Sequence, residues 1–142
     1  SYECSPEEVA NENVKKCEKQ SVNKNSVDTG SNVHIIEDVS VTKEAALERA
    51  IGEWFKQLQE YGMDPHSSWT EDPTVKDCAN IIYENYTAVG CAVNRCTSRG
   101  FTVVECRYGP KRLQYGSLVY EVGAPCSKCK APQKCVLGSL CQ

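Results

Sequence analysis

The sequence predicts an α+β domain of stacked layers, and three observations predict it. Apolar residues recur at helical spacing through the first half of the chain. They alternate at strand spacing through residues 87–108. Ten cysteines stand in 142 residues, four of them in the last seventeen (Cys126, Cys129, Cys135, Cys141). Such density marks a disulfide framework made in an oxidising compartment. Helices followed by an antiparallel sheet pack as layers around one core.

The elements follow in order. Ser5-Pro6-Glu7-Glu8 is a helix start: serine caps, proline suits the first helical position, and Glu8 closes a capping box. Ala10, Val14 and Cys17 then share one face, so a helix of about three turns carries Cys17 towards the core. Ser21 to Ser40 reads as polar loop, interrupted by the short apolar patch Val33 to Ile36. Thr42 to Tyr61 is the clearest helix, with Leu47, Ile51 (beside Ala50), Trp54, Leu58 and Tyr61 as its apolar stripe and Gly62 as its stop. Trp54 and Phe55 read as core.

Met63 to Glu71 is loop, and Asp72-Pro73 repeats the cap-then-proline signal, opening a third helix that runs to about Asn85. Strands then span Thr87 to Cys96 and Phe101 to Tyr108. The second puts Phe101, Val103 and Glu105 on one side and Val104, Cys106 and Tyr108 on the other. Thr97-Ser98-Arg99-Gly100 turns between them. A third strand is expected over Leu118 to Val122, before Gly123-Ala124-Pro125. The Cys-rich tail beyond is too short and too poor in apolar residues to fold without bridges. Residues 1–122 are therefore expected to form the domain and 123–142 a hinge-like tail.

Composition excludes some functions. A net charge of −3 argues against nucleic acid as the main partner. No apolar run approaches the length of a membrane span. No leader stands at Ser1, as expected of a mature or trimmed secreted form. Cys126-x-x-Cys129 resembles half a zinc site, but no second C-x-x-C follows it, so bridges are favoured over metal.

Three segments carry a family resemblance. Asn85-Tyr86-Thr87-Ala88-Val89-Gly90-Cys91-Ala92-Val93 and Val104-Glu105-Cys106-Arg107-Tyr108-Gly109-Pro110 resemble the two signature strands of the CAP superfamily, which includes venom allergens and plant pathogenesis-related proteins. Tyr120-Glu121-Val122-Gly123-Ala124-Pro125-Cys126-Ser127-Lys128-Cys129, with Leu140-Cys141, is similar to the tail of the nematode, hookworm-type branch. Tyr2-Glu3-Cys4 entering a helix that ends at Cys17 fits the same branch.

The resemblance implies an α-β-α sandwich with a central groove. It implies the pairings Cys17–Cys96, Cys91–Cys106, Cys126–Cys135 and Cys129–Cys141, with Cys4–Cys78 remaining. It also implies a helix and a strand ahead of Tyr2, which this sequence does not contain. A core helix missing outright would expose apolar surface.

The groove of this superfamily typically holds two histidines and two acids able to bind a divalent metal. Matching motif to motif places Gln20 at the first histidine, Ser31 at the first acid, Gln57 at the second acid and Asp77 at the second histidine. Glutamine and serine are poor ligands for divalent metals, and neither supplies a base near neutrality. One carboxylate does not make a site, so neither metal nor cofactor is expected. His34 and His66 fall on no motif position and are expected to be idle loop side chains.

The sequence contains neither G-x-S-x-G nor H-E-x-x-H, and Ser31 has no visible activating base, so no catalytic residue is expected. Some hookworm relatives antagonise host platelet or leukocyte integrins. A secreted, non-catalytic effector that binds a host protein is therefore the leading reading, although no Arg-Gly-Asp or Lys-Gly-Asp tripeptide occurs. A lipid or sterol carrier is the alternative. Channel or receptor blocking comes next, but the chain lacks the further cysteine-rich module of channel-directing relatives. Glu71, Asp72 and Asp77 could form a negative patch at the groove. Asn85-Tyr86-Thr87 is an N-glycosylation sequon.

Overall fold

The computed structural model describes residues 1, 4–19, 29–63, 66–127, 129–137 and 140–141. In chain order its elements are α1 (Cys4–Lys15), β1 (Ser31–Ile36), α2 (Lys43–Tyr61), α3 (Lys76–Ile82), β2 (Tyr86–Cys96), a 3-10 turn (Thr97–Arg99), β3 (Phe101–Pro110), β4 (Cys135–Val136) and β5 (Leu140–Cys141). The first three strands form one antiparallel sheet in the order β1-β3-β2.

Because β3 is central, helices can cover both its faces, and Phe101 to Cys106 are buried without a break. Phe101 and Val103 pack with Val14 of α1, Val33 and Ile35 of β1, and Cys96. On the other face, Val104 and Cys106 meet Ala46, Ala50 and Trp54 of α2, together with Ile36. A third cluster joins α3 to the segment after β3 through Trp69, Val75, Ala79, Tyr83, Leu113 and Val119. The result is an α-β-α sandwich: α1, then the sheet, then α2. The β3 alternation and the hairpin follow the sequence pattern. Gly100, at φ 76, closes the turn in a conformation that glycine adopts without penalty.

Several expectations need correction. Residues 31–36 are strand β1, paired from Ser31↔Arg107 to Ile36↔Thr102, and not a loop with an apolar patch. Asn32 and His34 on the inner face of β1 break the apolar alternation that would have revealed it. Asp72 caps a turn, its Oδ1 accepting from Thr74 N (2.9 Å) and Thr74 Oγ1 (2.6 Å), so α3 begins only at Lys76. Residues 118–122 make no strand. Leu118 holds one bridge to Ser68, and the Val119 carbonyl is taken by Glu84 N.

The helix α2 starts where expected, with Thr42 Oγ1 accepting from Ala45 N, and Gly62 ends it. Its buried line, however, is Ala46, Ala50 and Trp54, while Ile51, Phe55, Leu58 and Tyr61 are exposed. The small alanines let the helix backbone approach the sheet. Trp54 then fills the gap, with Leu47 packed against the same cluster.

Four disulfides are formed: Cys17–Cys96, Cys91–Cys106, Cys126–Cys135 and Cys129–Cys141. Cys91 and Cys106 are direct cross-strand partners. The Cys17–Cys96 bridge closes a loop of 79 residues, enough to stabilise the fold by about 4 kcal/mol through restricting the unfolded chain. The pairing Cys4–Cys78 is not made; both are free thiols, Cys4 exposed and Cys78 buried. Cys4 opens α1 on one side of the sheet, whereas Cys78 lies in α3 beside α2 on the other. The sheet separates them.

Candidate functional site

Of the four expected groove positions, Ser31 stands on β1, Gln57 on α2 and Asp77 on α3. Gly30, at φ 97, turns the chain into β1 and lets Tyr108 N donate to its carbonyl at 2.9 Å. Ser31 follows, and its carbonyl accepts from Lys76 Nζ and Asn80 Nδ2, each at 3.2 Å. Asn32 is fully buried. Its amide donates to the Asp77 carbonyl at 2.8 Å and to the Tyr108 hydroxyl at 3.2 Å, and its Oδ1 accepts from Asn80 at 2.8 Å.

Gln57 sits one turn after Trp54 on α2, and both ends of its amide are engaged. Nε2 donates to Asp77 Oδ2 at 3.0 Å, and Oε1 accepts from Cys78 N at 3.0 Å. The other oxygen of Asp77 pairs with Lys76 Nζ at 3.2 Å, both side chains largely shielded from solvent. Ser31, Gln57 and Asp77 are thus brought together, Gln57 and Asp77 by direct contact and Ser31 through Lys76 and Asn80. Gln20 lies outside the described residues.

Burial pushes the Tyr108 phenol well above its ordinary range, and the Asp77 charge pushes the same way, against the hydrogen bond from Asn32. Tyr86 stacks on Tyr108 with ring centroids 5.4 Å apart, and its phenol is likewise raised by burial. Neither tyrosine is therefore an acid or base near neutrality.

His34 corrects the expectation of an idle loop side chain. It stands in β1, half-buried, within electrostatic reach of Glu53, Asp77 and Lys56. Desolvation lowers its pKa from 6.5, with the two carboxylates opposing that shift. His66 is exposed. The expected acidic patch is divided. Asp77 is committed to Gln57 and Lys76, whereas Asp72 lines a separate cavity of about 270 Å³ with Tyr61, Trp69 and Val75.

Sequence reasoning missed Asn32, Asn80 and Lys76. One signal was available for Asn80: asparagine inside a helix competes poorly unless its side chain has work to do elsewhere.

Among the described residues, the donors of this set do not fit a divalent metal. The Gln57 amide and the Asp77 carboxylate already satisfy each other, and Lys76 brings a positive charge to the same carboxylate. Among the described residues no group of three or more His, Cys, Asp or Glu is placed to hold a metal ion. Asn85, in the turn between α3 and β2, is exposed, as is Thr87. No described helix is long and apolar enough to cross a membrane.

The family model described as CAP, the cysteine-rich secretory protein family, matches residues 1–108. Hookworm platelet inhibitor 1 of Ancylostoma caninum is 31% identical over 129 residues, spanning 90% of this chain and 58% of that protein. The solved structure of Na-ASP-1 superposes with a TM-score of 0.85 at 25% identity, covering 100% of this chain and 37% of its own. That of NaASP2 with Zn²⁺ gives 0.78 at 28% identity, over 92% of this chain and 70% of its own. The chain spans little more than half the length of the platelet inhibitor it matches.

Proposed function

The chain belongs to the CAP, or cysteine-rich secretory protein, family, and from that premise we propose a secreted, non-catalytic effector that binds a host protein. Loops and the groove rim are its contact surface, and a blood-cell surface protein such as an integrin is the leading class of partner. The observation that carries this reading is the closed contact of Gln57 and Asp77, with Lys76 on the second carboxylate oxygen. Gln57 and Asp77 spend their polar atoms on one another and on Lys76, which disfavours a metal-activated water at this pair. A disulfide-stapled scaffold with exposed loops needs nothing more for recognition. A relative described as a platelet inhibitor supports the blood-cell direction.

The test is binding of the folded, labelled protein to washed platelets and leukocytes, run beside lipid extraction of the purified protein. Saturable cell binding without turnover of peptide or ester substrates is the expected result. A bound lipid recovered with no cell binding would replace this reading with a carrier. Turnover that disappears in Asp77→Ala would show that the groove is catalytic.

A further inference from the structure

We infer that the cavity between the C-terminal end of α2 and the segment leading into α3 binds a small organic cation, a primary ammonium carried on an aromatic body. The site is separate from the Gln57–Asp77 contact, and the inference stands independently of the host-binding reading.

The cavity holds about 270 Å³, and Tyr61, Ser68, Trp69, Thr70, Asp72 and Val75 are in its lining. One wall is fixed before any ligand arrives. Trp69 N donates to the Ser117 carbonyl at 2.9 Å, Gly116 N to the Trp69 carbonyl at 2.8 Å, and Val119 N to the Ser67 carbonyl at 2.7 Å. Trp69 and Val75 also belong to the buried cluster that holds Leu113 and Val119. A pocket pinned in this way loses little ordering entropy when it is filled. Two backbone outliers flank the lining segment, Ser67 at φ 56 and Glu71 at φ 59. The Ser67 hydroxyl is buried without a hydrogen-bond partner. Strained and unsatisfied groups of this kind concentrate at ligand sites.

The charge in the cavity selects the ligand. Among the described lining residues Asp72 is the one formal charge, with no lysine or arginine beside it. Thr74 N and Thr74 Oγ1 both donate to Asp72 Oδ1, at 2.9 and 2.6 Å. Those two bonds hold the carboxyl below its usual range without help from a neighbouring cation. Asp72 Oδ2 accepts from no described residue, and Lys76, four positions on, is taken up by Asp77. An ionised carboxylate with an uncommitted oxygen favours a charged donor.

The other groups fit the same ligand. Tyr61 is 63% exposed, so its ring is accessible to lie against a bound cation. Ser68 and Thr70 bring hydroxyls that accept from the remaining N–H groups of an ammonium. Asp72 repels anions, and one carboxylate is too few for a divalent metal. A volume just under the ~300–1,000 Å³ of drug-sized sites, walled by Tyr61, Trp69 and Val75, suits one aromatic ring on a short aminoalkyl chain.

The experiment is calorimetric titration of the whole chain with phenethylamine, beside phenethyl alcohol and phenylacetate, which keep the ring and replace the cation by a neutral hydroxyl or an anion. Wild type should bind the amine saturably at one site and neither analogue. Asp72→Asn, which keeps an oxygen for Thr74, should weaken amine binding by about tenfold or more. Tyr61→Ala, on the exposed rim, should weaken it about two- to fivefold. Thermal melts verify that both variants are folded. Failure of wild type to bind the amine, equal binding of the alcohol, or an affinity unchanged by Asp72→Asn (by Tyr61→Ala, should Asp72→Asn not fold) would overturn the site. Equal or tighter binding of Nα-acetyl-lysine amide would overturn the aromatic ligand in favour of a lysine side chain, and binding of glucose in place of the amine would overturn the cation.

Discussion

Replacing Gln57 by glutamate isolates the contact on which the functional reading turns. The substitution keeps an oxygen for the Cys78 N–H, now 3.0 Å from Gln57 Oε1, but turns the donor facing Asp77 Oδ2 across 3.0 Å into a second carboxylate. Two unit charges at that separation repel by roughly 5 kcal/mol at an effective dielectric of 20. Lys76, 3.2 Å from the other Asp77 oxygen, offsets part of this. The lost hydrogen bond to a charged acceptor adds about 1.5–3 kcal/mol. After relaxation, Gln57→Glu should cost about 2–4 kcal/mol at neutral pH. The introduced carboxyl has its pKa raised in the folded state, which then binds more protons than the unfolded chain. The penalty is therefore full above that raised pKa, shrinks as pH falls through it, and is gone below about pH 4. Urea unfolding of both proteins across about pH 4–8 measures this directly. A difference that stays flat with pH, or that is under about 0.5 kcal/mol throughout, would refute the closed Gln57–Asp77 contact.

Four further outcomes are expected. A Cβ at Gly90 would lie 2.8 Å from Glu7 Cα and from the Pro6 carbonyl carbon in the backbone of α1, so Gly90→Ala should lose about 1–3 kcal/mol, read as a lower melting temperature. Alkylation without reductant should label Cys4 alone in the native protein and Cys78 only after unfolding, because burial both hides that thiol and raises its pKa; intact mass showing no label even after unfolding would mean the two are bridged. Expression in a eukaryotic secretory host should give a glycan that peptide N-glycosidase removes and Asn85→Gln prevents, since Asn85 and Thr87 are both exposed. His34 has a folded pKa below its ordinary 6.5, so the folded state binds fewer protons than the unfolded chain in that window; acidification from above 6.5 towards the folded value should remove stability, and His34→Gln should abolish that slope in pH-dependent melts.

Much of the fold was legible because local rules and the global fold agree. The helix α2 carries its own cap at Thr42 and its own stop at Gly62, and β3 alternates cleanly between two faces. The family resemblance proposes Ser31, Gln57 and Asp77 as groove positions; in the structure Gln57 touches Asp77, and Lys76 links Asp77 to the Ser31 carbonyl. What stayed hidden depends on packing between distant segments. The apolar stripe of α2 has two flanks, and only the approach of the sheet selects Ala46, Ala50 and Trp54 over Ile51 and Leu58. The strand β1 is polar on its inner face because Asn32 is spent on Asp77, Tyr108 and Asn80, partners 45 or more residues away in sequence.

The sequence by itself therefore determined the layered α+β class and the hairpin. Spacing, capping and composition act within a few residues of one another. Only the tertiary structure decided that Gln57 and Asp77 satisfy each other, that His34 sits half-buried on a strand, and that Cys4 and Cys78 stand on opposite sides of the sheet. Those outcomes depend on which faces meet across the fold, and local periodicity does not encode the direction from which a remote partner arrives.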